Sequence, residues 1–416
     1  AGLTLAVSGG AALLFWFIHA SELANVVKTA ALIQQQSNNT VTLESITAQV
    51  TLLERLLTVY YLFLIALILV LARYVVPDYP RVVARGYVSL AAFGGMALIV
   101  AGLISYTNLR IIHADIAYKL ADPFARGEDP TQWEYAIELY QRANRYAPSE
   151  DYYYLFLGRA YLERARLIQA TDPAETQRMM EQAESDLILA QSINPLNTDH
   201  TANLARLNRF WAQITPDATQ KGQMAQEASD YYARAVVLSP NNVVIWNEWA
   251  VLHLGLLQDP TRAVELLEHS LEVDPQYFGT YGILAQYYAQ TARQSTVEAD
   301  KQAAYQQAVK TYKEAISHVI KKRDAASKYS YLLELGDLQS TFTDYENAIA
   351  TFEEAHPLAG QNQVWRIEET LAKLYLQTGQ PATALELANA ALLNAPDTQK
   401  ARVQELITAI QQQPSP

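Results

Sequence analysis

The chain has 416 residues, 50% hydrophobic and 18% charged, with 31 Lys and Arg against 43 Asp and Glu and no cysteine. Without cysteine there is no disulfide framework, no thiolate metal site and no cysteine nucleophile. The net charge of −12 argues against nucleic acid or an anionic phosphate surface as the main partner, because either would be repelled.

Leu3 to His19 is apolar except for Thr4 and Ser8, and Leu56 to Val76 and Gly86 to Thr107 are apolar with few interruptions. About 20 such residues cross the hydrocarbon core of a bilayer. The pattern predicts three transmembrane helices, over 2–19, 56–76 and 86–107, in a membrane domain covering 1–108. A secretory signal peptide is the competing reading of the first, but no initiator Met and no basic leading segment precede it. The sequence is therefore expected to begin inside a longer protein or after trimming. Gly2, Ala6 and Gly10 lie four apart, as do Ala91 and Gly95, a spacing that lets helices pack closely in lipid.

Between the first two spans, Gln34 to Asn39 is a polar turn. Ile46, Val50, Leu53 and Leu57 then mark one face of a helix that runs on into the second span. That face is either an interfacial or subunit-docking surface or an extension packed on its own neighbours. The loop from Arg73 to Arg85 sets three Arg against Asp78. The positive-inside rule places it in the cytoplasm and the chain beyond the third span outside. Arg110 and His113 follow that span at once, and the next helix (Ile112, Ile116, Ala117, Leu120) begins with almost no linker. Residues 1–108 hold five Lys or Arg and four acids, which leaves 26 basic and 39 acidic residues for the remainder.

That remainder is repetitive. A small residue, a large one at +4, a small one at +7 and a breaker at +12 recur as Ala136/Tyr140/Ala143/Pro148, Ala183/Leu187/Ala190/Pro195 and Ala228/Tyr232/Ala235/Pro240. The pattern returns as Ala263/Leu267/Ser270/Pro275 and Ala384/Ala388/Ala391/Pro396, and without the proline at Ala308 and Ala348. Upstream of several copies lies a first-helix pattern: Tyr154/Leu157/Gly158/Tyr161, Trp246/Trp249/Ala250/His253, Tyr281/Leu284/Ala285/Tyr288, Leu332/Leu335/Gly336/Gln339 and Leu371/Ala372/Tyr375. Small residues where two helices cross, large ones around the crossing and a proline at the exit describe a helical hairpin, and such hairpins must stack to bury their apolar faces. Gly158 is expected to accept Ala but not Leu. On these residues the chain from about Leu109 to Ile410 resembles the tetratricopeptide repeat family.

The fold class is thus all-α, transmembrane helices followed by an α-solenoid of about seven hairpins, with the repeat domain over 109–410 and a tail over 411–416. Successive second-helix alanines lie 47, 45, 35, 45, 40 and 36 residues apart, against about 34 in the standard repeat. The excess falls in Arg166 to Gln182, Ile214 to Gln226 and Thr291 to Ala304, expected as lengthened helices with longer turns.

No catalytic, cofactor or metal pattern is present: there is no HExxH, GxSxG, GxGxxG or P-loop. His253 takes a packing position. His200, His269, His318 and His356 are expected near helix ends or on exposed faces, and Glu353/Glu354 and Glu368/Glu369 on outer faces. The family resemblance implies a concave surface built by first-helix residues beside the packing positions. Here it would present Tyr152, Leu155, Arg159, Asn203, Arg206, Asn247, Glu248 and Gln286, with Asp337, Glu369 and Lys373 beyond. Such a groove suits an extended peptide or a partner helix. The Lys and Asn carboxylate clamp of chaperone-binding members is matched only in part and is not carried over.

The whole layout, with Ala114-Asp115-Ile116, Trp133 to Pro148 and Asp151 to Gly158 after the spans, also resembles the C-terminal part of bacterial O-antigen ligase or polymerase-like membrane proteins with appended repeats. That family's transfer chemistry implies a larger membrane core and a His- and Arg-bearing external loop, neither of which this chain contains. Two functions follow: a membrane-anchored scaffold on the extracytoplasmic side of a cell membrane, holding other protein subunits of a membrane complex, or the non-catalytic end of a glycan ligase. Membrane lipid is the other expected partner, with no nucleic acid, metal or cofactor.

Overall fold

The computed structural model of the chain describes residues 9–10, 13, 16–17, 20, 42–75, 86–320 and 324–412. Most of the first expected span, the Gln34 to Asn39 turn and positions 76–85 of the arginine loop lie outside the described residues. Within them the chain is helical, without strands, and divides into two units, 1–231 and 232–416.

The first unit opens with α1 (Leu43–Val75) and α2 (Gly86–Ile104). A π turn, Ser105–Leu109, joins α2 to α3 (Arg110–Ala121) with helical dihedrals on both sides. The apolar segment and the first repeat helix are therefore one rod without a linker. Over 36 residues at about 1.5 Å each, such a rod is roughly 54 Å long. Two stretches, Leu43–Leu67 and Ala91–Ala121, are long and apolar enough to cross a membrane.

Hairpins follow: α3 with α4 (Pro130–Tyr146), α5 (Asp151–Ile168) with α6 (Pro173–Ile193), and α7 (Thr198–Ile214) leading to α8 (Ala218–Leu238), inside which the boundary between the units falls. Asp-Pro starts three of the second helices, the third in the second unit, for a plain reason. The Asp side chain accepts from a first-turn N–H, Thr131 for Asp129, Glu175 for Asp172 and Arg262 for Asp259, while the proline fills the first helical position, where no N–H is needed.

In the second unit, α9 (Val243–Leu252) ends in a π turn, His253–Leu257, and pairs with α10 (Pro260–Val273). Next come α11 (Phe278–Gln294) with α12 (Glu298–His318), α13 (Ala325–Thr341) with α14 (Tyr345–Ala355), and α15 (Val364–Gln377) with α16 (Pro381–Asn394). A last helix, α17 (Asp397–Gln412), lays Val403, Ile407 and Ile410 over the end of the array and closes its apolar face.

All seven second-helix alanines, from Ala136 to Ala384, are fully buried, so the register read from the spacing is that of the packing. The long spacings are long helices: α6, α8 and α12 each have 21 residues, whereas α10 and α16 have 14. Their turns are not long, as expected from the sequence, but short connections at 169–172, 215–217 and 295–297. Helix-favouring runs extend the helix instead of the loop.

Gly158 lies at the predicted crossing, but it is tighter than the sequence suggests. A Cβ there would sit 2.7 Å from Leu187 Cγ and 3.1 Å from the Ala183 carbonyl oxygen. Even Ala is crowded, contrary to expectation, because one of the nearby atoms is backbone and the other is close to it.

The face of Ile46 and Val50 is not free for another subunit. Both residues are buried in one core with Ala114, Ala117, Trp133 and Ala136, so the start of α1 packs on its own chain.

Candidate protein-binding surface

Each unit carries part of the surface expected from the sequence. In the first unit, α5 lies against both α4 and α7. Tyr152 is 43% exposed, and its hydroxyl is 2.6 Å from that of Tyr118 on α3. Tyr118 also meets the rings of Tyr140, Tyr153 and Phe156, with centroids 5.0 to 5.8 Å away, and Tyr152 meets Phe156 at 4.6 Å. Burial, and then the Tyr152 hydroxyl, push the Tyr118 phenol up. Burial alone leads for Tyr153, whose phenol is pushed up to about 12. These phenols stay neutral within an aromatic cluster from which Tyr152 is exposed.

Arg159 is exposed beside this cluster, while Arg206 is half-buried and already engaged by neighbours. Leu155 and Asn203 are buried. Asn203 turns its amide back to the Asp199 carbonyl at 2.8 Å, so these two hold up the surface from within.

In the second unit, Asn247 is also internal. Its amide donates to the Thr280 hydroxyl at 2.9 Å, with Ser270 Oγ 3.1 Å beyond, a buried polar knot joining α9, α10 and α11. Glu248 is half-buried and accepts from Tyr232 at 3.3 Å. Gln286 is exposed and donates to Glu334 at 3.0 and 3.2 Å. It lines an open cleft of about 590 Å³ with Gln290, Arg293, Tyr312, Glu334 and Asp337. Arg293 reaches Asp337 at 2.9 Å, and the Tyr312 hydroxyl donates to Glu334 at 2.8 Å.

Gln290, Arg293 and Glu334 were not anticipated. The signal was a polar stripe at helical spacing, Gln286, Gln290, Arg293 and Gln294 on α11 opposite Glu334 and Asp337 on α13.

Two expectations about polar residues are corrected. His200 is completely buried rather than solvated, and its Nε2 donates to Asp151 at 2.6 Å. Asn194 and Asn197 donate to the same carboxylate. Burial would raise the Asp151 carboxyl, but these donors outweigh it and hold it below its ordinary value. Glu368 and Glu369 are buried rather than on an outer face. Glu368 accepts from Asn394 at 2.9 Å, and Glu369 is held between Lys373 and Arg402. Burial of these charges is tolerable because each is paired. His253 is packed as expected, and burial holds its imidazole below the ordinary value. Among the described residues no group of three His, Cys, Asp or Glu could hold a metal.

A buried ion pair also joins α1 to the array. Glu54 on α1 accepts from Arg142 Nε at 3.1 Å and Nη2 at 2.6 Å, and from the Tyr146 hydroxyl at 2.9 Å. Arg142 also donates to Thr51 at 3.2 Å. The two charged side chains are only 10% and 19% exposed.

Residues 342–410, which hold α14 to α17, match the family model described as tetratricopeptide repeat. No curated protein matches the chain. Similar solved structures include a tetratricopeptide repeat protein from Parabacteroides merdae, 15% identical over 72% of this chain and 98% of that one, TM-score 0.39. Another is pilF of Pseudomonas aeruginosa, 18% identical over 61% of this chain and 96% of that one, TM-score 0.39. A thermophilic tetratricopeptide protein of Thermus thermophilus is 20% identical over 51% of this chain and 98% of it, TM-score 0.32.

Proposed function

We propose that the chain is a membrane-anchored tetratricopeptide scaffold, with residues 1–108 as membrane domain and 109–410 as repeat domain, which holds other protein subunits of a membrane complex. The observation that carries this reading is the single rod of α2, π turn and α3. Residues 91–103 of it are exposed all round, including Phe93, Met96, Ile99 and Leu103. An apolar helix bare on every side suits lipid, and its far end is a repeat helix packed in a core. Glu54 and Arg142 fasten the second apolar helix to the same hairpin, so both spans have their repeat-side ends together. The three-arginine loop read from the sequence is, under the positive-inside rule, the reason to propose an extracytoplasmic array.

Binding is the function such a surface can perform. Tyr152 and Arg159 in the first unit, and Gln286, Gln290 and Arg293 in the second, offer aromatic, guanidinium and amide groups suited to the backbone and side chains of an extended peptide. No feature of the structure favours the glycan-ligase alternative.

The test is a triple substitution, Tyr152, Arg159 and Gln286 each to Ala, in the full chain purified from membranes with whatever binds it. Helix content and membrane insertion are expected to be unchanged and the bound subunits lost. Retention of every bound subunit would refute this surface. Labelling of cysteines introduced into the repeats only after lysis, and not on intact cells or spheroplasts, would refute the orientation.

A further inference from the structure

A second cleft, of about 300 Å³, lies where the apolar rod enters the array. It is lined by Tyr106 and Thr107 of the π turn, Arg110 and Ile111 of α3, and the end of α4 through Tyr146 to Ser149. The geometry points to this cleft as a binding site for the zwitterionic headgroup of a membrane phospholipid carrying a primary ammonium, as in phosphatidylethanolamine. The inference rests on the membrane reading proposed above.

Depth is the first argument. Arg110 is three residues beyond Thr107, where the span read from the sequence ends, about 4.5 Å at the helical rise, and the headgroup layer on each side of the hydrocarbon core is roughly 5–8 Å thick. A lipid whose acyl chains lie along the bare face of α2 would bring its phosphate to this level. Charge is the second. Arg110 is half-buried, and among the described residues it meets no carboxylate at ion-pair distance; its guanidinium rests over the Tyr106 ring at 5.7 Å. The arginines of α4 beside the cleft are already neutralised, Arg142 by Glu54 and Arg145, in the last turn, by Glu138 at 3.2 Å. One unpaired guanidinium matches one phosphodiester, and Arg is the side chain best shaped for it.

The opposite wall decides between headgroups. It is the C-terminal end of α4, where the helix dipole is negative, with the Ser149 hydroxyl and the Tyr146 ring beside it. That end opposes a bare phosphate and suits an ammonium, which can donate to carbonyl and hydroxyl oxygens and be stabilised by an aromatic face. The acidic balance of the repeats acts in the same direction, against a purely anionic lipid. A π turn at this point also fits, since such turns inside α-helices are frequent at functional sites.

The test uses the full chain in detergent, delipidated and then offered an equimolar mixture of phosphatidylethanolamine, phosphatidylglycerol and phosphatidylcholine, with retained lipid read by native mass spectrometry. Phosphatidylethanolamine is expected to be retained, and Arg110→Gln to retain it roughly tenfold less, the loss of one charge-assisted contact. Arg110→Lys should recover part of the retention, which a merely unfolded variant would not show. Equal retention of the three lipids, or no difference between the wild-type chain and Arg110→Gln, overturns the site. Displacement of the lipid by inorganic phosphate alone overturns the lipid assignment. Flotation with liposomes through a carbonate wash is run in parallel. A wild-type chain that fails to float overturns the membrane reading and the site with it, whereas one that floats without selectivity overturns the site alone.

Discussion

The Glu54 contact with Arg142 allows a quantitative prediction about how the repeats are held to α1. Glu54→Gln keeps the volume but replaces a carboxylate that accepts three hydrogen bonds, two of them from a guanidinium. Removing one partner of a buried ion pair costs about 3–5 kcal/mol when the other is left stranded. Arg142 retains 19% exposure and can recover some hydration, which lowers the expected cost to about 2–3 kcal/mol. Arg142→Gln should cost a similar amount. The double variant should cost less than the sum, by about 1–2 kcal/mol, because neither change then strands a charge.

The assay is amide hydrogen exchange of Leu43 to Leu57 in detergent-solubilised protein. A loss of about 2 kcal/mol appears as a roughly 30-fold faster opening of that segment, while α9 to α17 exchange as before. Strict additivity of the two single variants, or unchanged exchange in Glu54→Gln, would refute the view that this pair fastens the helix.

Three further outcomes are expected. Gly158→Ala and Gly336→Ala should each lower the melting temperature at a cost of about 1–3 kcal/mol, since an added Cβ would lie 2.7 Å from Leu187 and from Phe352 respectively. Gly222→Ala, within α8 and in open space, should instead stabilise by up to about 1 kcal/mol, and matching signs at all three sites would refute the crossing argument. Burial raises the Asp186 carboxyl to about 7 from 3.8, so its charged form is disfavoured in the fold and stability is lost as pH rises from the unfolded to the folded value. Asp186→Asn should therefore gain over the wild-type chain between about pH 4 and pH 7, by about 1–2 kcal/mol after allowing for partial exposure; a melting difference that does not grow across that window would contradict the sign. Asp151 is the opposite case, with its carboxyl held low, so the advantage of wild type over Asp151→Asn should be present above about pH 4 and fade as pH falls through the folded value.

Periodicity in the sequence was enough to place the repeats. Ala136 to Ala384 recur with their breakers, and a small side chain at that spacing has one stable use, the close crossing of paired helices. Asp129-Pro130 and Asp172-Pro173 announce helix starts locally, because cap and proline act on their own first turn. The apolar runs that become α1 and α2 are equally local, since length and composition alone decide whether a helix could cross a bilayer.

The partners of the remaining polar groups were decided only by the tertiary structure. Leu155, Asn203 and Asn247 stand beside the packing positions and read as surface, but a stacked neighbouring helix covers them. A helical period reports which face a residue takes, not what lies over that face. His200 finds Asp151 across 49 residues, and Glu54 finds Arg142 across 88; no local pattern encodes either pair. The cleft at Arg110 is of the same kind. Its walls come from α3 and the end of α4, which only the fold brings together.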